Sequence, residues 1–269
     1  MKVTIQGTGI EYSVEGPRTG IPVIFIHGFP FDRSIWKGQV DLLKNQFYTV
    51  TYDIRGYGGS DAGDGQYTIE LFVDDLIALL DHLKISRGVL VGLSMGGYIS
   101  LRAAERNPER VRGLVLCDTR SEADSNEGKI RRADQARIVQ REGTRDFARS
   151  FVAGLFDETS FAEKPEIVES IRMLIERTSP RSIVGTLIAL GGRTDTTPAL
   201  YNIRVPTLVL VGRHDTLTPV SASTAMKEKI PGAEMHIIPH AGHLSNLENP
   251  EEFNEHLLNF LLKLQSQGR

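Results

Sequence analysis

Four short runs of the chain are apolar without alternation: Val23-Ile24-Phe25-Ile26, Val89-Leu90-Val91, Leu114-Val115-Leu116 and Leu208-Val209-Leu210-Val211. A strand with one wet face alternates apolar and polar side chains. Unbroken runs therefore predict strands buried on both faces, as in a parallel sheet covered by helices. Tyr48-Thr49-Val50-Thr51-Tyr52 adds a β-rich strand. Helix signals lie between the runs. After Thr68, an N-cap with Glu70 in the first turn, Phe72, Leu76, Leu79, Leu80 and Leu83 recur at helical spacing. A second helix follows Ser94 and stops near Asn107-Pro108, because proline disfavours helical backbone in the residue before it. Two more open at Thr218-Pro219 and Asn249-Pro250, each a cap residue followed by proline at the first helical position. Strands alternating with helices of this length form βαβ units and a right-handed, mostly parallel sheet. At the N-terminus, residues 2–6 and 10–14 alternate across Gly7-Thr8-Gly9 and predict an amphipathic hairpin at a sheet edge.

Residues 120–199 break this rhythm, with helix patterns at 127–142, 144–156, 165–178 and 181–191 and no strand run between them. An all-helical insertion between two buried strands predicts a lid over the strand ends. The expected division is a core of residues 1–119 and 200–269 with a helical cap of residues 120–199. Phe147, Phe151 and Leu155 form a stripe at i, i+4 and i+8, which fits either ordinary packing or pocket lining.

Composition narrows the function classes. Lys plus Arg is 31 against 34 Asp plus Glu, a net charge of −3, so no basic excess is present to hold a nucleic-acid backbone. At 40% hydrophobic and 24% charged residues, the chain lies far from disordered compositions. The single cysteine, Cys117, cannot form an internal disulfide, and no Cys/His spacing suggests zinc. The first residues lack the apolar run of a signal peptide, and no stretch approaches the roughly 20 apolar residues of a membrane span. These features predict a cytoplasmic protein with neither membrane nor nucleic-acid partners, and leave the oligomeric state open.

The chemistry is concentrated at strand ends. Gly92-x-Ser94-x-Gly96 follows a buried strand and opens a helix. A serine on so sharp a turn has a strained backbone, and glycines two residues either side relieve crowding between helix and strand. Ser94 is thereby presented at the carboxyl edge of the sheet. A serine hydroxyl is a poor nucleophile until a base takes its proton, and neutral imidazole is the usual base. His243 lies just after the last predicted strand and before the final helix, where its loop returns to the same edge; His240 is the rival in that loop. The imidazole needs an acid. Asp215 ends Val211-Gly212-Arg213-His214-Asp215, and Asp118 follows the preceding buried strand. Asp215 is favoured, because the order Ser, Asp, His with the acid after the penultimate strand is the commoner arrangement. Backbone N–H groups of Met95, after the nucleophile, and Phe29, in His27-Gly28-Phe29-Pro30, are the expected oxyanion donors.

Taken in order, His27-Gly28-Phe29-Pro30, Asp53-x-Arg55-Gly56-x-Gly58-x-Ser60, Gly92-Leu93-Ser94-Met95-Gly96-Gly97, Gly212-Arg213-His214-Asp215 and Gly242-His243 resemble the α/β-hydrolase family over nearly the whole chain. The resemblance implies an α/β-hydrolase fold: a mostly parallel eight-stranded sheet flanked by helices, with a helical cap after the sixth strand. It also implies a triad of Ser94, Asp215 and His243. Within the family, Gly92-Leu93-Ser94-Met95-Gly96-Gly97 with Cys117-Asp118-Thr119-Arg120 is similar to small bacterial esterases, enol-lactonases of aromatic degradation and cofactor-free haloperoxidases. Serine at the elbow sets aside dehalogenases and epoxide hydrolases, which use aspartate there. Cys117 reads as a packed thiol rather than a nucleophile. No HExxH helix or phosphate-binding glycine loop occurs, so neither metal nor cofactor is expected.

The expected activity is hydrolysis of small carboxylic esters or lactones, such as acyl-homoserine lactones or enol-lactones, through an acyl-enzyme. The rivals are carbon–carbon bond hydrolysis or peracid formation on the same triad, and a hydrolase-fold receptor for a small molecule. Trp36, Phe147 and Phe151 are the expected substrate contacts. With Phe29-Pro30-Phe31 at the mouth they predict an uncharged pocket that prefers apolar acyl chains. A preference for anionic substrates would instead direct attention to an arginine such as Arg120 or Arg145.

Overall fold

The computed structural model describes residues 1–266. Eight strands form one sheet in the order β1-β2-β4-β3-β5-β6-β7-β8. They are β1 (Lys2–Ile5), β2 (Thr8–Glu15), β3 (Pro22–Ile26), β4 (Tyr48–Tyr52), β5 (Gly88–Leu93), β6 (Val111–Cys117), β7 (Thr207–Gly212) and β8 (Glu234–Ile238). From β4 to β8 the neighbours are parallel, while β2 runs antiparallel to both β1 and β4. Every residue of β5 and β7 is buried, as the unbroken apolar runs require, and so is every residue of β4. The N-terminal hairpin turns one residue earlier than Gly7-Thr8-Gly9. Ile5 pairs with Thr8, so Gln6 and Gly7 form the turn, and both have positive φ (47° and 76°), as a tight two-residue connection requires.

The helices are α1 (Lys37–Leu43), α2 (Ile69–His82), α3 (Met95–Arg106), α4 (Asn126–Glu142), α5 (Arg145–Val152), α6 (Ser160–Glu163), α7 (Pro165–Arg177), α8 (Pro180–Gly191), α9 (Val220–Lys229), α10 (Ser245–Glu248) and α11 (Pro250–Ser266). Thr68 caps α2 as expected, its hydroxyl accepting the Leu71 N–H. Pro250 opens α11, whereas Pro219 stands one position outside α9 as its cap. Between β6 and β7 the chain is helical, with α4 lying against α8 and α5 against α7. The helix pattern at 144–156 is cut short at Val152, and Leu155 leaves the helix with its carbonyl turned to the His243 N–H at 2.7 Å. The one-turn helices α6 and α10, and 3₁₀ turns at Arg33–Trp36 and Thr197–Asn202, are too short to leave a period in the sequence. Among the described residues no helix is long and apolar enough to cross a membrane.

Candidate active site

β5 ends at Leu93 and α3 begins at Met95, so Ser94 alone makes the turn. It does so at φ 53° and ψ −111°, a left-handed conformation that costs a non-glycine residue about 1–3 kcal/mol. The flanking glycines permit this approach. A Cβ on Gly92 would stand 2.3 Å from the Gly96 carbonyl oxygen, and one on Gly96 would stand 2.1 Å from that of Ile26. The turn is tied to β6, where the Ser94 N–H donates to the Cys117 carbonyl at 2.9 Å, and the Thr119 hydroxyl donates to the Ser94 carbonyl at 2.8 Å.

His243 Nε2 lies 2.9 Å from Ser94 Oγ, and His243 Nδ1 lies 2.8 Å from Asp215 Oδ2. With Nδ1–H donating to the carboxylate, Nε2 is the acceptor that faces the serine hydroxyl. Asp215 is further held by the N–H groups of Leu217 and Thr218, each at 2.9 Å, and by the Thr218 hydroxyl at 2.6 Å. Burial opposes its ionisation, but His243 and the Thr218 donors outweigh that and hold the carboxyl below its ordinary range. Burial likewise disfavours the imidazolium of His243, yet the Asp215 charge and hydrogen bond, followed by Asp118 and Glu248, raise its basicity above that of a free histidine. The fold thus brings Ser94, His243 and Asp215 within hydrogen-bond reach of one another.

The competing residues are occupied elsewhere. Asp118 does not bond His243. Its Oδ1 accepts the Gly212 N–H at 2.8 Å and its Oδ2 accepts the Ser245 hydroxyl at 2.5 Å, joining the ends of β6 and β7 to α10. Burial and the nearby Asp215 charge push its carboxyl up to about 8. His240 is exposed at a turn with φ 53°. His27 is buried, its Nε2 accepting the Ile54 N–H at 2.9 Å, and burial keeps it neutral. Cys117 is fully buried in β6, where burial pushes its thiol up.

Ser94 and His243 open into a cavity of about 230 Å³ whose walls include Phe29 and Met95. Met95 is the first residue of α3, where an N–H has no acceptor within the helix. Phe151 lines the cavity, and Phe147 stacks behind it with ring centroids 5.3 Å apart. Trp36 must be corrected as a substrate contact. It is 0% exposed and packs between Phe25 of β3 and Phe253 of α11, because the 3₁₀ turn after Asp32 directs it into the core. Leu155 and Phe31 are also fully buried.

The uncharged pocket is a second correction. Arg120, Arg131 and Arg132 line it with Gln135 and Asp124. The Asp124 carboxylate is already matched by Arg132 and by Arg193 at 2.7 Å. Glu122 stands 3.5 Å from Arg120, and Arg131 makes no ion pair among the described residues. The wall therefore carries surplus positive charge. Arg145 lies outside it, exposed and paired with Glu176 at 3.0 Å. Sequence reasoning missed Arg131 and Arg132, for which the basic run Lys129-Ile130-Arg131-Arg132 on a largely polar helix was the available signal.

This geometry has known counterparts. A profile of the alpha/beta hydrolase fold matches residues 21–250. The chain is 29% identical over 252 residues to 3-oxoadipate enol-lactonase 2 of Acinetobacter baylyi, covering 94% of this chain and 92% of the relative. Among solved structures, a thermophilic esterase from Thermogutta terrifontis, with malate bound, superposes with a TM-score of 0.94 at 36% identity over 98% of this chain and 99% of the other. The enol-lactonase from Burkholderia xenovorans LB400 gives a TM-score of 0.91 at 30% identity over 97% and 100%. An eight-stranded mostly parallel sheet, a serine elbow between β5 and α3, and these relatives at about 30% identity make one conclusion: the chain belongs to the α/β-hydrolase family.

Proposed function

We propose that the protein is a serine hydrolase of small carboxylic esters or lactones that carry a carboxylate, with α4 to α8 forming its cap. The observation that carries this reading is one cavity lined by Ser94 and His243 together with Arg120, Arg131 and Arg132. Ser94 Oγ attacks the acyl carbon while its proton passes to His243 Nε2, and Asp215 stabilises the resulting imidazolium. The N–H groups of Phe29 and Met95 donate to the oxygen that becomes negative, each typically worth about 2.7–4 kcal/mol of barrier. The leaving alkoxide takes the proton from His243. Water then gives a proton to the same nitrogen as its oxygen attacks the acyl carbon, and the acyl–Oγ bond breaks as Ser94 Oγ takes that proton back from His243, releasing the acid. The arginines anchor the distant carboxylate, as charge-assisted pairs do. The structure of the similar Thermogutta terrifontis esterase has malate, a dicarboxylate, bound, which is in keeping with an anionic substrate.

The test is a panel of p-nitrophenyl acetate, p-nitrophenyl hemisuccinate and a carboxylate-bearing enol-lactone with wild type and Ser94→Ala. We expect the charged substrates to be preferred in kcat/KM by roughly tenfold or more, in keeping with one charge-assisted hydrogen bond. Ser94→Ala should fold and lose at least about 10³-fold in rate. A Ser94→Ala variant within tenfold of wild type would overturn the nucleophile. A wild type that prefers the neutral ester would overturn the anionic substrate class.

A further inference from the structure

Glu248, the last residue of α10, is 0% exposed, and both of its carboxylate oxygens are taken by donors from different parts of the chain. Oε1 accepts the N–H of Gly242, the residue before His243, at 2.8 Å. Oε2 accepts the Asp157 N–H and the Ser160 hydroxyl, each at 2.7 Å, from the stretch between α5 and α7. That stretch also reaches the histidine directly, through the His243 N–H to the Leu155 carbonyl at 2.7 Å. The contact is so close that Gly242 has no room for a side chain: a Cβ would stand 2.7 Å from the Leu155 oxygen and 2.8 Å from the Phe156 carbonyl carbon. Beside it the Asp157 carboxylate pairs with His214, the neighbour of Asp215 in sequence. No cation pairs with the Glu248 carboxylate among the described residues. Burial raises the Glu248 carboxyl above its ordinary range, and the hydrogen bonds donated by Ser160, Asp157 and Gly242 work against that by favouring its charged form. A carboxamide would have to point an N–H at one of them.

We propose that Glu248 is a positioning residue for His243, and that through it residues 155–160, at the base of the helical segment, form part of the histidine's mount. The inference rests on the serine-hydrolase reading above. Its consequence is that the base of the helical segment cannot shift without moving the His243 backbone, so the helices that line the cavity also set the distance from Nε2 to Ser94. A displacement of about 1 Å in such a group costs on the order of 10²-fold in rate.

The charged groups around His243 are Asp215 after β7, Asp118 at the end of β6, Glu248 on α10 and the Asp157–His214 pair. Arg120 and Arg131 line the same cavity, and the Lys164 ammonium donates to the backbone carbonyl of Glu248. Removing the Glu248 charge lowers the basicity of His243, so the acid limb of the rate moves to lower pH, whereas simple loosening of the loop leaves that limb in place.

The experiment compares wild type and Glu248→Gln by the pH dependence of fluorophosphonate labelling at Ser94 and by kcat and KM for p-nitrophenyl acetate, with circular dichroism to establish folding. We expect labelling and kcat to fall by roughly ten- to a hundredfold with KM little changed, and the acid limb to shift to lower pH. A folded variant with wild-type kcat overturns the proposal, and so does a slower variant whose acid limb has not moved. If Glu248→Gln does not fold, Ser160→Ala decides: labelling slowed by roughly threefold or more supports the mount, and an unchanged rate overturns it. A wild type that is not labelled at Ser94 overturns the serine-hydrolase reading and this inference with it, whereas a labelled wild type confines any failure to Glu248.

Discussion

Asp215 and Asp118 approach the site from the ends of two paired strands, yet their surroundings push them to opposite protonation states. Four hydrogen bonds converge on Asp215, from His243, Leu217 and, twice, Thr218, and favour its charge. Asp118 is buried beside that charge and rises to about 8. Asp215→Asn should therefore cost on the order of 10⁴-fold in kcat, as the same change does in a serine protease, because the amide favours the wrong imidazole tautomer. Asp118→Asn should remain within a few-fold of wild type, since an asparagine resembles the protonated acid. Steady-state kinetics on both folded variants checks this, and a crippled Asp118→Asn with an active Asp215→Asn would reverse the assignment. Stability follows the same residue. Between the ordinary 3.8 and about 8 the folded state holds a proton on Asp118 that the unfolded chain releases. Wild-type stability contributed by this group thus declines as pH rises through that window and levels off above it. Melting curves should show Asp118→Asn gaining on wild type across the window and gaining no more beyond. The raised basicity of His243 predicts in turn that activity disappears, as pH falls, at a value above the 6.5 of an unpaired histidine.

At the scale of elements, the loops that carry the site are anchored by buried polar pairs. Arg55, after β4, grips Asp75 of α2 with two hydrogen bonds of 2.9 and 2.6 Å, and both side chains are buried. Removing one partner strands a charge, so Arg55→Ala should destabilise by about 3–5 kcal/mol in urea titrations, while the double variant Arg55→Met with Asp75→Leu should recover most of that. A loss below about 1 kcal/mol in the single variant would show that Asp75 finds water. The Asp53-x-Arg55-Gly56-x-Gly58-x-Ser60 pattern marked this loop in the sequence, but the partner of Arg55 lies 20 residues away on the far side of a turn. The shortened α5 has a similar cause. Periodicity continued to Leu155, but the His243 N–H claims the Leu155 carbonyl, and a tertiary hydrogen bond overrides the local preference.

Over the whole molecule, the distribution of charge matters more than its sum. The chain carries −3 overall, yet Arg120, Arg131 and Arg132 line the cavity that holds Ser94. Arg120→Ala should raise KM for a carboxylate-bearing ester by roughly tenfold with kcat little changed, and should leave p-nitrophenyl acetate unaffected. Arg131→Ala should do less, because its exposed guanidinium is screened, and its effect should shrink as salt is added. Equal effects on charged and neutral esters would mean that the arginines support the helices instead of the substrate.

The apolar runs determined a parallel sheet and the glycine-flanked serine determined its turn, because burial on both faces and backbone crowding are written in adjacent residues. That Ser94, His243 and an acid would meet was legible because loops leaving the carboxyl ends of parallel strands share one edge, but the same reasoning admitted Asp118 beside Asp215, and the hydrogen bond to His243 distinguishes them. Only the tertiary structure decided that Trp36 belongs to the core, that Arg131 and Arg132 face the cavity and that Glu248 binds the histidine loop to residues 155–160. Each of these depends on which faces of distant helices meet, and a side chain's type restricts its chemistry without saying what will stand beside it.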